Sequence, residues 1–413
     1  MPFQETCALA ERIAVLKDYD TGVFTVAELA RRYGVSRETI YVWKRRRAEG
    51  SDKRWFEDLS HAAQTCPHAT SPEATAAVIA LRERFPHFGP KKIRAWLLRE
   101  QPHVAWPACS TMGDILKRAG LVEAVRREHR PIAQGEIAPA DLAANTEWAT
   151  DFKGWFRIGN GRRCDPLTVT DTASRYLIAT RIVEPTTLGV KQAFERIFDC
   201  YGLPDRVRSD VMLKACLRHD GSPFGSTGAG GLSRLSVWFL KLGIEPCHIR
   251  PGSPQKNGRH ERMHRTMKAQ TTATPAATMA EQQARFDTFR AHYNRERPHE
   301  ALDQTPPASH WQPSFRAMPV RIHEPWYDAD HEVRRANHKG CIKWRGEHIF
   351  IGEALARETI GITEIEDGRH LVRFCSRDLG VIDRDFRFHR FAPPRPRLHS
   401  APEPKRDTRT NGE

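Results

Sequence analysis

Three acidic residues stand where their type and setting suit metal-assisted chemistry. Asp151 closes the run Trp148-Ala149-Thr150-Asp151, and Asp210 closes Val207-Arg208-Ser209-Asp210. Glu261 lies within Asn257-Gly258-Arg259-His260-Glu261-Arg262. The first two follow short extended stretches, and the third falls on an expected helix. Carboxylates on separate elements can converge on two divalent cations. Arg265 and Lys268 follow Glu261 by four and seven positions, so on a helix they share its face and can hold phosphates beside it. The chain carries 65 Lys and Arg against 51 Asp and Glu, a formal net charge of +14, with an isoelectric point near 9.6. Such a balance draws polyanions, which makes a phosphodiester bond the expected target.

The elements that must position these acids read as an α/β layered domain. Three extended stretches, Trp148 to Trp155, Leu167 to Thr170 and Tyr176 to Ile182, are separated by turns, with Gly159-Asn160-Gly161 marking one. Residues 186–201 read as a helix with Leu188, Ala193, Phe194, Ile197 and Phe198 on its apolar face. A short strand over Val207 to Ser209, a helix over Leu232 to Leu242 and a strand over Ile244 to Ile249 follow.

Two helical modules precede that domain. Over residues 8–50, Thr25 and Glu28 have capping-box spacing, Gly34 suits a helix end, and Ser36 can cap the next helix. Ile40 and Trp43 would face a core, leaving Arg37, Tyr41 and Lys44 on the opposite face. The pattern resembles a helix-turn-helix whose recognition helix spans 36–46, with Ser36, Arg37, Tyr41 and Lys44 as the DNA-contacting residues. Residues 70–122 read as a second helix-turn-helix-like module, starting at Ser71-Pro72-Glu73 and ending near Gly120. At the other end, short apolar stretches with glycine turns over 338–392 suggest a small β-barrel. Residues 393–413, with five prolines and many charges, read as a disordered tail.

Nine scattered cysteines without a C-x-x-C pair argue against a disulfide framework or a structural zinc site. The start lacks the pattern of a signal peptide, and no stretch of eighteen apolar residues occurs, so a membrane partner is not expected. A cytoplasmic, nucleoid-associated protein is the expectation.

Several strings together are more specific. They are Trp148-Ala149-Thr150-Asp151-Phe152-Lys153-Gly154, Thr170-Asp171-Thr172-Ala173-Ser174-Arg175-Tyr176 and Gly230-Gly231-Leu232-Ser233-Arg234-Leu235. To these add Arg250-Pro251-Gly252-Ser253-Pro254-Gln255-Lys256-Asn257-Gly258-Arg259-His260-Glu261-Arg262 and His292-Tyr293-Asn294-Arg295-Glu296-Arg297-Pro298-His299. The chain thereby resembles the DDE transposases of bacterial insertion sequences, within the integrase-core, ribonuclease H-like superfamily. The resemblance implies a ribonuclease H-like core over residues 138–312. It also implies two Mg²⁺ (or Mn²⁺) ions on Asp151, Asp210 and Glu261, with hydrolysis and strand transfer on double-stranded DNA, both element ends and target. A homo-oligomer, at least a dimer, follows from the need to bring two ends together. All three ligands of that pattern are carboxylates, so His248, His260 and His264 are not expected to bind zinc; His260 reads as a phosphate neighbour or helix-surface residue.

One stretch departs from the pattern. The family places Asn-Gly directly after its second aspartate, whereas Asp210 is followed by Val211-Met212-Leu213. Asp210 is preferred because Arg208-Ser209-Asp210 follows the expected strand. Asp220, before Gly221, is the alternative second acid, and an inactive site is the third reading.

Overall fold

The computed structural model describes residues 7–49, 55–58, 69–122, 142–210, 224, 231–249 and 258–391. The chain divides into two compact units, residues 1–71 and 72–413.

The first unit has three helices, α1 (Ala8–Asp20), α2 (Val26–Tyr33) and α3 (Arg37–Glu49). Thr25 and Glu28 form a reciprocal capping box that starts α2. Gly34 ends it at φ 67°, a left-handed conformation open to glycine at no steric cost. Ser36 Oγ then accepts the Thr39 amide at 3.1 Å, and Val15, Leu16, Leu29 and Ile40 make the core.

The second unit opens with α4 (Pro72–Arg84), α5 (Pro90–Glu100) and α6 (Cys109–Arg118), packed around Val78, Phe88, Ile93, Met112 and Leu116. This bundle docks on residues 292–300. Phe85 stacks on His292 with centroids 4.7 Å apart, and the pairs Arg84–Glu296 and Lys91–Glu300 each close to 3.0 Å.

The central domain runs β1 (Glu147–Phe152), β2 (Phe156–Arg157), β3 (Arg163–Cys164), β4 (Pro166–Asp171), β5 (Leu177–Ile182), α7 (Thr187–Tyr201), β6 (Arg206–Asp210), α8 (Arg234–Lys241), β7 (Glu245–Ile249), α9 (Gly258–Met267) and α10 (Met279–Arg295). Its main sheet has the order β5-β4-β1-β6-β7. The first three strands are antiparallel, and β6 and β7 run parallel to β1. Alternation along β1 sends Trp148 and Phe152 to the face covered by α7 and α8, where they meet Phe194, Phe198 and Phe239. The opposite face carries Ala149, Asp151, Thr168 and Thr170 by register. There α9 and α10 pack through Met263, Met267, Phe286 and Phe289.

The last strands are β8 (Glu332–Arg335), β9 (Cys341–Trp344), β10 (Glu347–Phe350), β11 (Thr359–Glu364), β12 (His370–Phe374), β13 (Arg377–Ile382) and β14 (Phe388–Arg390). They correct the expected β-barrel. Among the described residues the sheet is open, with order β14-β13-β12-β11-β8, and β9 pairs only with β10. Closure needs the first and last strands to share a ladder. Here the edges β14 and β8 pair only inward, with β13 and β11. The β9–β10 hairpin instead contributes Ile342, Trp344 and Ile349 to a core shared with Ile360, Val372 and Phe374 of the sheet. Val237 and Leu240 of α8 join the same core. No helix among the described residues is long and apolar enough to cross a membrane.

Candidate active site

The two strand-end aspartates come from neighbouring parallel strands. In the β1–β6 ladder Ala149 pairs with Arg208 and Thr150 with Ser209. One step further along the same register stand Asp151 and Asp210. Adjacent strands are about 4.8 Å apart, so the two strand ends lie side by side. The side chain of Asp210 lies outside the described residues, as does all of Asp220.

Across the other ladder Asp151 pairs with Thr168. The Thr168 hydroxyl donates to the Asp151 carbonyl oxygen at 2.9 Å. The same Oγ1 lies 2.7 Å from Nε2 of His260 and 2.7 Å from Nε2 of His264. A hydroxyl has one proton and two lone pairs, so with its proton given to Asp151 it accepts from both imidazoles. His260 Nδ1, at 2.9 Å from Thr170 Oγ1, then accepts from that hydroxyl. Burial pushes His260 down to about 3 and His264 to about 2, so both are neutral at pH 7. His264 Nδ1 lies 3.9 Å from Asp151 Oδ2.

This network seats α9. His260, Met263, His264 and Met267 form its buried face at helical spacing. His260 is 2% exposed, which corrects its reading as a helix-surface residue: its ring is the polar part of the helix–sheet contact. Glu261, Arg265 and Lys268 are exposed on the flank of the same helix and its continuation. Lys153, just past β1, is pushed down by burial and by the nearby Lys268 ammonium. Among the described residues no three His, Cys, Asp or Glu side chains gather as a metal cage.

By residue type alone Thr168, Thr170, His260 and His264 do not stand out as a group. Their signal is the i, i+4 histidine pair on an otherwise apolar stripe with methionines at 263 and 267, facing a strand that alternates threonines. Asp171 is structural. It accepts from Ser174 N at 2.7 Å, Ser174 Oγ at 2.6 Å and Asn145 N at 2.8 Å.

In the first unit Arg37 and Tyr41 are exposed on α3, and Ser36 sits at its start. Lys44 turns back toward α1, its Nζ 3.9 Å from the Tyr19 ring centroid.

Residues 141–254 and 242–307 match the integrase core domain family, and residues 11–53 match a helix-turn-helix domain family. The chain is 25% identical over 249 residues to an uncharacterized 39.2 kDa protein of insertion element IS476 from Xanthomonas euvesicatoria, covering 59% of this chain and 65%, just under two thirds, of that protein. It is likewise 25% identical over 236 residues to an uncharacterized 31.7 kDa protein of insertion element IS407 from Burkholderia multivorans, covering 56% of this chain and 78% of that protein. Two solved structures are similar at a lower level. The catalytic core domain of BIV integrase has 20% identity and a TM-score of 0.29, over 40% of this chain and 92% of that one. A chain of the simian T-cell lymphotropic virus intasome, solved in complex with PP2A regulatory subunit B56 gamma, has 14% identity and a TM-score of 0.34, over 77% of this chain and 100% of that one. Both structural likenesses are slight, and the assignment rests on the matched core residues. Through residues 141–307 this chain is thus similar to the integrase core domain family.

Proposed function

We propose that the chain is a transposase that binds element-end DNA and catalyses metal-dependent phosphodiester hydrolysis and strand transfer. The observation that carries this reading is the β1–β6 register, whose last pair, Thr150 with Ser209, stands immediately before Asp151 and Asp210. Carboxylate oxygens are hard donors, so Asp151, Asp210 and Glu261 fit Mg²⁺ or Mn²⁺ as ligands. Two such ions would neutralise the carboxylates, supply an activated oxygen nucleophile and stabilise the leaving oxygen.

The remaining tasks belong to this chain's own groups. Thr168 fixes the backbone at Asp151, and two neutral histidines hold α9 against the sheet without adding charge. Arg265 and Lys268, with Lys153 close by, bind and orient phosphates along the flank of α9. Ser36, Arg37 and Tyr41 read element ends from the helix-turn-helix at 8–50, Lys44 joins them by leaving its contact with Tyr19, and residues 70–122 add a second DNA contact. At least two copies assemble, since two ends are joined.

A DNA-binding protein without catalysis is the second reading, favoured by Val211 where the family has Asn-Gly. A nicking and strand-transfer assay on element ends, with and without Mg²⁺, separates the two. Metal-dependent joined product supports the transposase. Folded protein that binds the ends and yields no product supports the second reading.

A further inference from the structure

One alternation behind the carboxylates, on the same sheet face, lies a cavity lined by arginines. Thr170, Ala149 and Arg208 stand side by side on β4, β1 and β6, one alternation, or about 7 Å, behind Thr168, Asp151 and Asp210. The small Ala149 side chain leaves a cavity of about 20 Å³, room for one water-sized group. Arg259 reaches it from α9, Arg175 from the turn after β4, and Tyr293 of α10 closes one side.

The polar groups around this cavity are unevenly satisfied. Among the described residues, Arg175 Nη1 and Arg208 Nε are buried with no hydrogen-bond partner. Arg259 Nη1 reaches the Thr172 carbonyl only at 3.4 Å. Two carboxylates are near, and both have other partners. Glu147 lies 3.3 Å from Arg208 Nη2 and accepts from Thr172 Oγ1 at 3.1 Å. Asp171 takes the donors of Ser174 and the Asn145 amide. Burial first, then the neighbouring Arg259 and Arg262, push the Arg175 guanidinium down to about 10. Guanidinium forks match phosphate oxygens, and buried donors without partners are costly.

We propose that this cavity seats one phosphate of the DNA backbone, a non-bridging oxygen entering between Arg175, Arg208 and Arg259. The seated phosphate neighbours the one held at the carboxylates and fixes the strand's register there. The inference rests on the transposase reading only for DNA as the source of the phosphate.

The test compares full-length wild-type chain with Arg259→Gln and Arg175→Gln, each checked for folding by circular dichroism. Two variants on different elements are used so that a folding failure in one leaves the other. Anisotropy of a labelled DNA duplex across a salt series gives the slope of log K against log salt. Each variant is expected to lower that slope by about 0.9, the loss of one phosphate contact. Thermal stabilisation by inorganic phosphate, expected for the wild type, should disappear in both. Unchanged slopes overturn the inference, with phosphate stabilisation retained meaning a free-phosphate site and with none meaning no anion site. Asp151→Asn separates this from the catalytic reading, because it should abolish joining while leaving the slope as in the wild type. Variants with lowered slopes in a chain that never joins DNA would leave the phosphate seat standing and remove the transposase.

Discussion

The Thr168 hydroxyl donates to the Asp151 carbonyl oxygen at 2.9 Å while standing 2.7 Å from His264 Nε2. A single side chain thus ties the strand that carries the first acid to the helix that carries the last. Thr168→Val keeps the shape and removes the hydroxyl, leaving two buried imidazole donors without a partner. We expect a loss of about 1–3 kcal/mol in urea unfolding and a fall in strand transfer, with Thr168→Ser close to wild type in both. Equal behaviour of the Val and Ser variants would remove the hydroxyl from the account.

On α3 of the first unit, burial separates stability from recognition. Ile40 is fully buried, whereas Tyr41 beside it is 51% exposed. Ile40→Ala should cost about 2–5 kcal/mol, read by thermal melting of the helical unit. Tyr41→Ala should change stability by less than about 0.5 kcal/mol and weaken end binding in anisotropy. Unchanged end binding in Tyr41→Ala would take the side chain out of the DNA contact.

Acid should weaken the larger unit partly through His299. Burial first, then Lys92, Arg297 and Arg175, push this imidazole down to about 3, and its Nε2 has no partner among the described residues. Unfolded, it titrates near 6.5. Between those values the unfolded chain binds the extra proton, so stability is full above about 6.5 and falls as pH drops. His299→Asn should reduce the slope of unfolding free energy against pH by about 1.4 kcal/mol per pH unit between about 6 and 4. A slope identical to wild type would contradict the assignment.

Metal affinity gives a readout independent of DNA. Calorimetric titration with Mn²⁺ should show binding to the wild-type chain that weakens at least tenfold in Asp151→Asn and in Glu261→Gln. In both variants duplex binding should be retained. Wild-type Mn²⁺ affinity in Asp151→Asn would exclude it as a ligand.

Much of this architecture is legible in the sequence because local rules agree with the fold. Thr25, Glu28 and Gly34 bound α2 as their capping and turn chemistry requires, and the strand–helix order of the core follows its apolar periodicity. The C-terminal sheet was harder. Alternation in His370–Phe374 reports which face is buried, but closure depends on whether two distant edges meet, and β8 and β14 do not. The burial of His260 is not legible locally, because residue type alone favours the surface. Only the threonines across the sheet at Thr168 and Thr170 give its ring nitrogens a buried partner. The arginine cavity depends on contacts among three elements far apart in sequence, which no local pattern encodes.

The central claim is that Asp210, beside Asp151, completes a metal-binding carboxylate set for phosphodiester chemistry. Its most direct test is Mg²⁺-dependent strand transfer on element ends by Asp210→Asn and Asp220→Asn, measured together with end binding. The account predicts no joined product from Asp210→Asn, near-normal product from Asp220→Asn, and end binding retained in both. Normal joining by Asp210→Asn with none from Asp220→Asn would contradict it.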